Sequence, residues 1–213
     1  MTASLLTLAD SRLPAGGHTH SGGVEQAIAA GVVTGPGSLA AFLRRRLATS
    51  GSVAAGLAAS ACAAEGDPAR LQELDAEADA RTPSPALRTA SRQQGRGLVR
   101  VGRQAWPSPA WGALPDRPHH PVALGVAAGA GGLTARDAAS AAAYLSISGP
   151  ATAAQRLLAM DPLTVAAVTA RLSPAVDEVA AAAVAAGLPA ATDPLLDLLA
   201  EVHATRKDRY FAS

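Results

Sequence analysis

Thr134-Ala135-Arg136-Asp137-Ala138-Ala139-Ser140-Ala141-Ala142-Ala143 is the stretch that decides the fold class. Thr134 and Asp137 stand three apart, the spacing of a capping box in which each side chain satisfies a free backbone N–H of the other. The alanines that follow favour helix intrinsically, and their small side chains let helix axes approach closely. The same punctuation recurs outward from this segment. Asp67-Pro68, Ser84-Pro85, Asp161-Pro162, Ser173-Pro174 and Asp193-Pro194 each place an N-capping side chain before a proline, whose missing N–H costs nothing at the first helical position. Gly31, Gly66 and Gly187 follow apolar-periodic segments, where left-handed C-terminal caps are expected. Helices are predicted near 2–10, 21–31, 38–64, 68–80, 85–105, 120–131, 135–158, 162–172, 174–186 and 194–206. No alternating run of β-branched or aromatic residues lies between turn residues, so strands are not expected. The fold class read from this pattern is all-α: an alanine-rich, single-domain bundle of about ten helices over residues 1–213.

Leu39, Phe42, Leu43 and Leu47 follow the spacing of one buried helical stripe, with Arg44 and Arg45 turned outward. The one true break is the proline-rich connection at 106–121, from Trp106 to Pro121, which joins two helical halves too small to stand apart. Composition removes several function classes. The chain has 213 residues, a formal net charge of +1 and six aromatic side chains, so neither a general field nor a stacking platform for nucleic acid is present. A single cysteine, Cys62, excludes an internal disulfide framework and a CxxC site, and its apolar helical setting is that of an inert packed thiol. No uncharged apolar run approaches the roughly 18 residues of a membrane helix, and a soluble cytoplasmic protein is inferred.

The candidate functional residues begin in the loop Leu13-Pro14-Ala15-Gly16-Gly17-His18-Thr19-His20-Ser21-Gly22-Gly23-Val24-Glu25, where glycines surround two histidines ahead of an apolar helix. So much backbone freedom suits a loop shaped for contact; the plainer alternative is a surface turn with Ser21 as helix cap. His18 and His20 are weak metal candidates, alone or with His119 and His120, since no carboxylate or thiol is visibly paired with them. The loop lacks the Gly-Lys-Ser/Thr of a phosphate cradle, and no serine–histidine–carboxylate constellation is legible along the chain. Ser91 to Arg103 spreads four arginines around a helix, Arg92 and Arg96 among them, with Gly95, Gly97 and Gly102 admitting close approach of another backbone. The tail at 204–213 ends in Arg209, Tyr210, Phe211 and Ser213, and two terminal aromatics fit a segment ordered by a partner better than a frayed end.

The stretch Leu6 to Glu25 resembles the N-terminal signature of the urease accessory protein UreF family, a short helix leading into Leu-Pro-x-Gly-Gly-Phe-x-His-Ser-x-Gly-Leu-Glu. Further blocks are similar in the family's order: Arg92 to Gly102, His120 to Gly125, and Tyr144-Leu145 through Gln155-Arg156-Leu157 to Asp161-Pro162-Leu163. The ending Arg209-Tyr210-Phe211-Ala212-Ser213 resembles the family's Arg-Leu-Phe-x-Ser. The chain departs at His18, where an aromatic is usual, at Val24, a leucine position, and at Thr164-Val165-Ala166, where Gly-Gln-Thr is usual.

The resemblance implies a homodimeric, non-catalytic scaffold without resident cofactor. It would join the accessory protein UreD, also called UreH, to the GTPase UreG, and couple GTP hydrolysis to nickel delivery into apo-urease, nickel being handled at most in transit. The partner-contact set is then Pro14, Gly16, Gly17, His20, Ser21, Glu25, Arg92, Arg96, Arg209, Tyr210, Phe211 and Ser213, with His20, Ser21 and Glu25 mattering more for assembly than for stability. Two alternatives stand beside it: a metallochaperone binding nickel directly through His18 and His20, and a metal-dependent hydrolase built on an imidazole cluster.

Overall fold

A computed structural model describes residues 3–10, 13–15 and 17–212, with His18 described by its backbone alone. The helices, in chain order, are α1 (Ala3–Leu8), α2 (Val24–Ala29), α3 (Pro36–Arg46), α4 (Ser52–Ala63), α5 (Pro68–Ala80), α6 (Pro85–Ala105), α7 (His120–Ala130), α8 (Ala135–Leu157), α9 (Pro162–Arg171), α10 (Ser173–Ala185) and α11 (Pro194–Thr205). Short 3-10 turns cover Gly17–Thr19 and Pro109–Gly112, a π turn covers Leu47–Gly51, and no strand occurs among the described residues. None of these helices is long and apolar enough to cross a membrane.

Asp67, Ser84, Asp161 and Asp193 are the N-caps of α5, α6, α9 and α11, each accepting backbone N–H groups of the first turn. Thr134 and Asp137 form the reciprocal capping box of α8. Gly31, Gly66 and Gly187 take the left-handed conformation their positions require, with φ of 72°, 84° and 75°.

Three expectations are corrected. Ser173 does not cap α10: the residue before it, Leu172, stays in right-handed helical geometry, so the chain never leaves the helical region between α9 and α10. The helix expected over 38–64 starts at Pro36 and is divided by the π turn, which sets Gly51 against α8 so closely that a Cβ there would lie 2.6 Å from Ser146 Oγ. The helix expected over 21–31 is confined to Val24–Ala29, because Gly22 and Gly23 are consecutively left-handed, at φ 59° and 87°, and no right-handed helix passes through them. Gly23, not Ser21, occupies the N-cap position there.

The core is built around α4, buried on nearly every face and packed against α7, α8 and α10. A helix apolar all round belongs at the centre of such a bundle. Its approach to α7 depends on Gly125, where a Cβ would lie 2.8 Å from Cys62 N. Leu39, Phe42, Leu43 and Leu47 are buried and Arg44 and Arg45 exposed, as the stripe predicts. Cys62 lies partly buried with Sγ 3.6 Å from the Leu133 carbonyl, and burial raises its pKa, in keeping with a packed thiol.

α6 lies along α7 with Gly95 facing the Pro118 carbonyl, Gly97 the Ala15 carbonyl and Gly102 the Trp111 ring. The proline-rich connection therefore contributes core as well as linkage. Trp111 is buried over Gly102, and its indole N–H donates to the Trp106 carbonyl at 2.8 Å.

Candidate functional site

Glu25 is the organising residue of the glycine-rich loop. It opens α2 and is 4% exposed, yet its carboxylate does not serve α2; it reaches the other end of the chain. Oε1 accepts the Tyr210 N–H at 2.8 Å, and Oε2 accepts the Phe211 N–H at 3.0 Å and lies 2.9 Å from Nε2 of the buried His203 on α11. The Ala212 N–H donates to the Thr19 carbonyl at 2.8 Å, and Arg206 Nη1 donates to Gln26 Oε1 at 3.1 Å. The tail from Arg206 to Ala212 is thus clamped onto α2 and the 3-10 turn by four hydrogen bonds, with the contact of His203 to Glu25 tying α11 to the same point. Burial pushes the Glu25 carboxyl up, but the Tyr210 N–H, the His203 imidazole and the Phe211 N–H outweigh it and hold the pKa below the ordinary glutamate value.

Two readings change accordingly. His20, Ser21 and Glu25 are buried, so this part of the loop belongs to the folded interior, whereas its glycine content had suggested that it adds little core. The tail, expected to be ordered by a partner, is hydrogen-bonded to the chain's own Glu25. Of its two aromatics, Phe211 is turned inward against the core and Tyr210 outward, 85% exposed beside the exposed Arg209.

Pro14, Gly17 and Arg96 are exposed, and the contact of Gly97 with Ala15 brings the loop onto the arginine helix, so the three predicted segments converge on one side of the molecule. Gly16, Ser213 and the His18 side chain lie outside the described residues. Among the described residues, no three histidine, cysteine, aspartate or glutamate side chains gather as a metal site. His119 is committed to α5 and α6, while His120 sits near His20, and burial together with that neighbour's charge pulls its pKa down to about 4.

The family model described as UreF matches residues 33–173. Proteins named urease accessory protein UreF are similar along nearly the whole chain. One from Mycolicibacterium vanbaalenii is 53% identical over 211 residues, covering 99% of this chain and 98% of its own. One from Mycobacterium marinum is 54% identical over the same span and coverage, and one from Mycobacterium tuberculosis 49%. The chain belongs to the UreF family. The resemblance seen in the sequence is therefore established at family level, and the segments that carried it at the two ends, the glycine-rich loop and the tail, are the ones Glu25 joins.

The arginine helix of this UreF-family chain divides into an inward and an outward part. Arg92 donates to Asp75 Oδ2 at 2.9 Å and Asp79 Oδ2 at 2.6 Å, and also to the Arg117 carbonyl. Asp75 in turn accepts the His119 N–H at 2.7 Å. His119 Nε2 lies 2.9 Å from Asp79 Oδ1 and Nδ1 lies 3.0 Å from Ser91 Oγ, which also accepts the His120 N–H. Ser91, His119 and Asp79 thus form a serine–histidine–carboxylate line that sequence reading missed, its members lying far apart along the chain. Ser91 Oγ and Asp75 satisfy the free N–H groups at the start of α7, and Arg92 fastens α6 to α5, so the line works as a clasp between three helices. His203, which meets Glu25, and Arg46 at the end of α3 were likewise unmarked by any local pattern.

Arg92→Ala would leave two carboxylates facing each other without their cation. A loss of about 2 kcal/mol is expected, less than the ~3–5 of a fully buried pair because Asp79 keeps nearly half its surface. Arg96→Ala, on the exposed side, is expected to stay within about 0.5 kcal/mol. Urea denaturation of both variants checks the division; equal losses would contradict it.

Proposed function

We propose that this chain is a non-catalytic scaffold of urease maturation that acts as a homodimer. In this reading it bridges UreD (UreH) and the GTPase UreG so that GTP hydrolysis drives nickel insertion into apo-urease. The observation that carries the proposal is the Glu25 clamp. It makes the family's two terminal signatures into one continuous surface and leaves Tyr210 displayed on it with Arg209, an aromatic and an arginine of the kind that anchor protein interfaces. Nickel in this reading is cargo handed on within the assembly.

Co-purification of this chain with UreD and UreG tests the reading, and capture of neither would end it. Tyr210→Ala isolates the displayed side chain. Its ring is exposed and its backbone N–H, the group Glu25 holds, is retained, so the melting temperature should be unchanged. Capture of UreD should weaken about tenfold or more, the effect of removing one interface hot spot of ~1.4 kcal/mol or above. Undiminished capture by a normally folded variant would show that the tail is not the contact.

A further inference from the structure

Arg46 ends α3 immediately before the π turn, and its guanidinium runs inward between α8 and the glycine-rich loop. Nε donates to the Ser146 carbonyl of α8 at 2.9 Å. A Cβ on Gly22 would lie 3.3 Å from its Cζ and Nη2, and 2.7 Å from Pro150 Cγ, so only glycine at that left-handed position leaves room for it. Nη1 and Nη2 donate to no protein group among the described residues, and no carboxylate pairs with Arg46 there. The side chain is half-buried and lines a cavity.

The cavity holds about 490 Å³ and is bounded by α6, α7, α8 and the loop, with the tail's Phe211 on its rim. Leu98, Leu124 and Leu145 supply an apolar wall and His20 a polar group, while Arg46, Gln94 and His120 also line a smaller adjoining space of about 180 Å³. Asp10 and Arg156 also line the larger chamber; Asp10 has a partner of its own. In the smaller space Asp193 is taken by Arg45, and burial raises the pKa of Asp197. Burial alone pulls the Arg46 guanidinium down to about 10. A shielded cation without a counter-charge is costly, and a planar fork with free N–H groups matches the two oxygens of a carboxylate.

We propose that this cavity binds a small organic anion, its carboxylate on the Arg46 fork and its apolar body against Leu98, Leu124 and Leu145. The volume suits such a molecule better than a bare inorganic ion, since pockets of this size hold mostly apolar ligands fixed by a few polar groups. The site is independent of the scaffold reading and stands or falls by binding to the isolated chain.

Calorimetric titration of the full chain in chloride buffer with acetate, benzoate and inorganic phosphate tests it. Benzoate is expected to bind tighter than acetate, and Arg46→Met to weaken benzoate at least tenfold. In the absence of added anion Arg46→Met should melt close to the wild type, because the cation it removes has no carboxylate partner among the described residues and its loss gives up one hydrogen bond, to the Ser146 carbonyl. Arg46→Lys, which keeps the charge but loses the fork, should weaken benzoate severalfold and serves as the variant to read if methionine prevents folding. Absence of benzoate binding, affinity unchanged in the variants, or binding of phosphate alone would each overturn the site.

Discussion

Glu25→Gln is expected to lower the stability of the protein by about 3 kcal/mol, the upper end of the cost of leaving a buried donor without its acceptor. At roughly 2–4 °C per kcal/mol for a chain of this size, the melting temperature should fall by about 6–12 °C. The reasoning is local. Glutamine has nearly the same shape, but it replaces one acceptor oxygen with an NH2 group and removes the charge that three donors converge on. At least one buried donor is then left unmatched, and the tail loses its anchor. Tryptic cleavage gives a second, positional readout, because Arg206, Lys207 and Arg209 lie in the segment that Glu25 holds. They should become rapidly cut in the variant while the helical body resists. Glu178→Gln, on the exposed face of α10, is the control and should change neither measurement. A Glu25→Gln protein with wild-type melting and an uncut tail would show that the clamp contributes nothing.

The same clamp has a defined pH dependence. The folded pKa of Glu25 is lowered relative to its ordinary value, so the carboxylate's contribution is fully present above the unfolded glutamate pKa of about 4.3. It is lost as the pH falls through the lower, folded value. The stability gap between wild type and Glu25→Gln should therefore be constant around neutrality and close in acid, and a gap that widened in acid would reverse the sign of the argument.

How much of this was legible in the sequence depended on the range of the interaction. The helix starts at Asp67, Ser84, Thr134, Asp161 and Asp193 were readable because cap and capped N–H lie within three residues. Ser173 has the same dipeptide pattern and fails, since what decides a cap is whether the chain leaves helical geometry beforehand, and Leu172 does not. The loop was rightly marked by its glycines, but its chemistry was not. Glu25 meets Tyr210 across almost the whole chain, and Arg92 meets Asp75 and Asp79 across a helix boundary, so spacing carries no trace of either pairing. The arginines of α6 divide for the same reason, Arg92 inward and Arg96 outward: periodicity places a side chain on a face, while the neighbouring helix decides whether that face is solvent.

Gly95→Ala, the addition of one methyl group, is expected to be among the most damaging single changes in the protein. Gly95 is buried on α6, and an added Cβ would fall on the carbonyl of Pro118, with the Pro118 carbonyl carbon at 3.0 Å and that of His119 at 3.1 Å. All three atoms are backbone and have no rotamer to move into. Alanine favours helix over glycine by about 1 kcal/mol, so an isolated α6 would gain. Relieving the collision requires α6 and the 118–119 segment to separate, and that segment carries the His119 N–H to Asp75 and the imidazole contacts to Asp79 and Ser91. Separation therefore also strains the clasp, and a net loss of about 3 kcal/mol or more is expected, at the upper end of overpacking costs. Gly17→Ala is the counterpart: an added Cβ there meets nothing within 4 Å, so stability should change by no more than about 0.5 kcal/mol. Thermal unfolding of the two variants side by side decides the point. A Gly95→Ala protein as stable as the wild type would mean that α6 does not lie against the 118–119 backbone as closely as this packing requires.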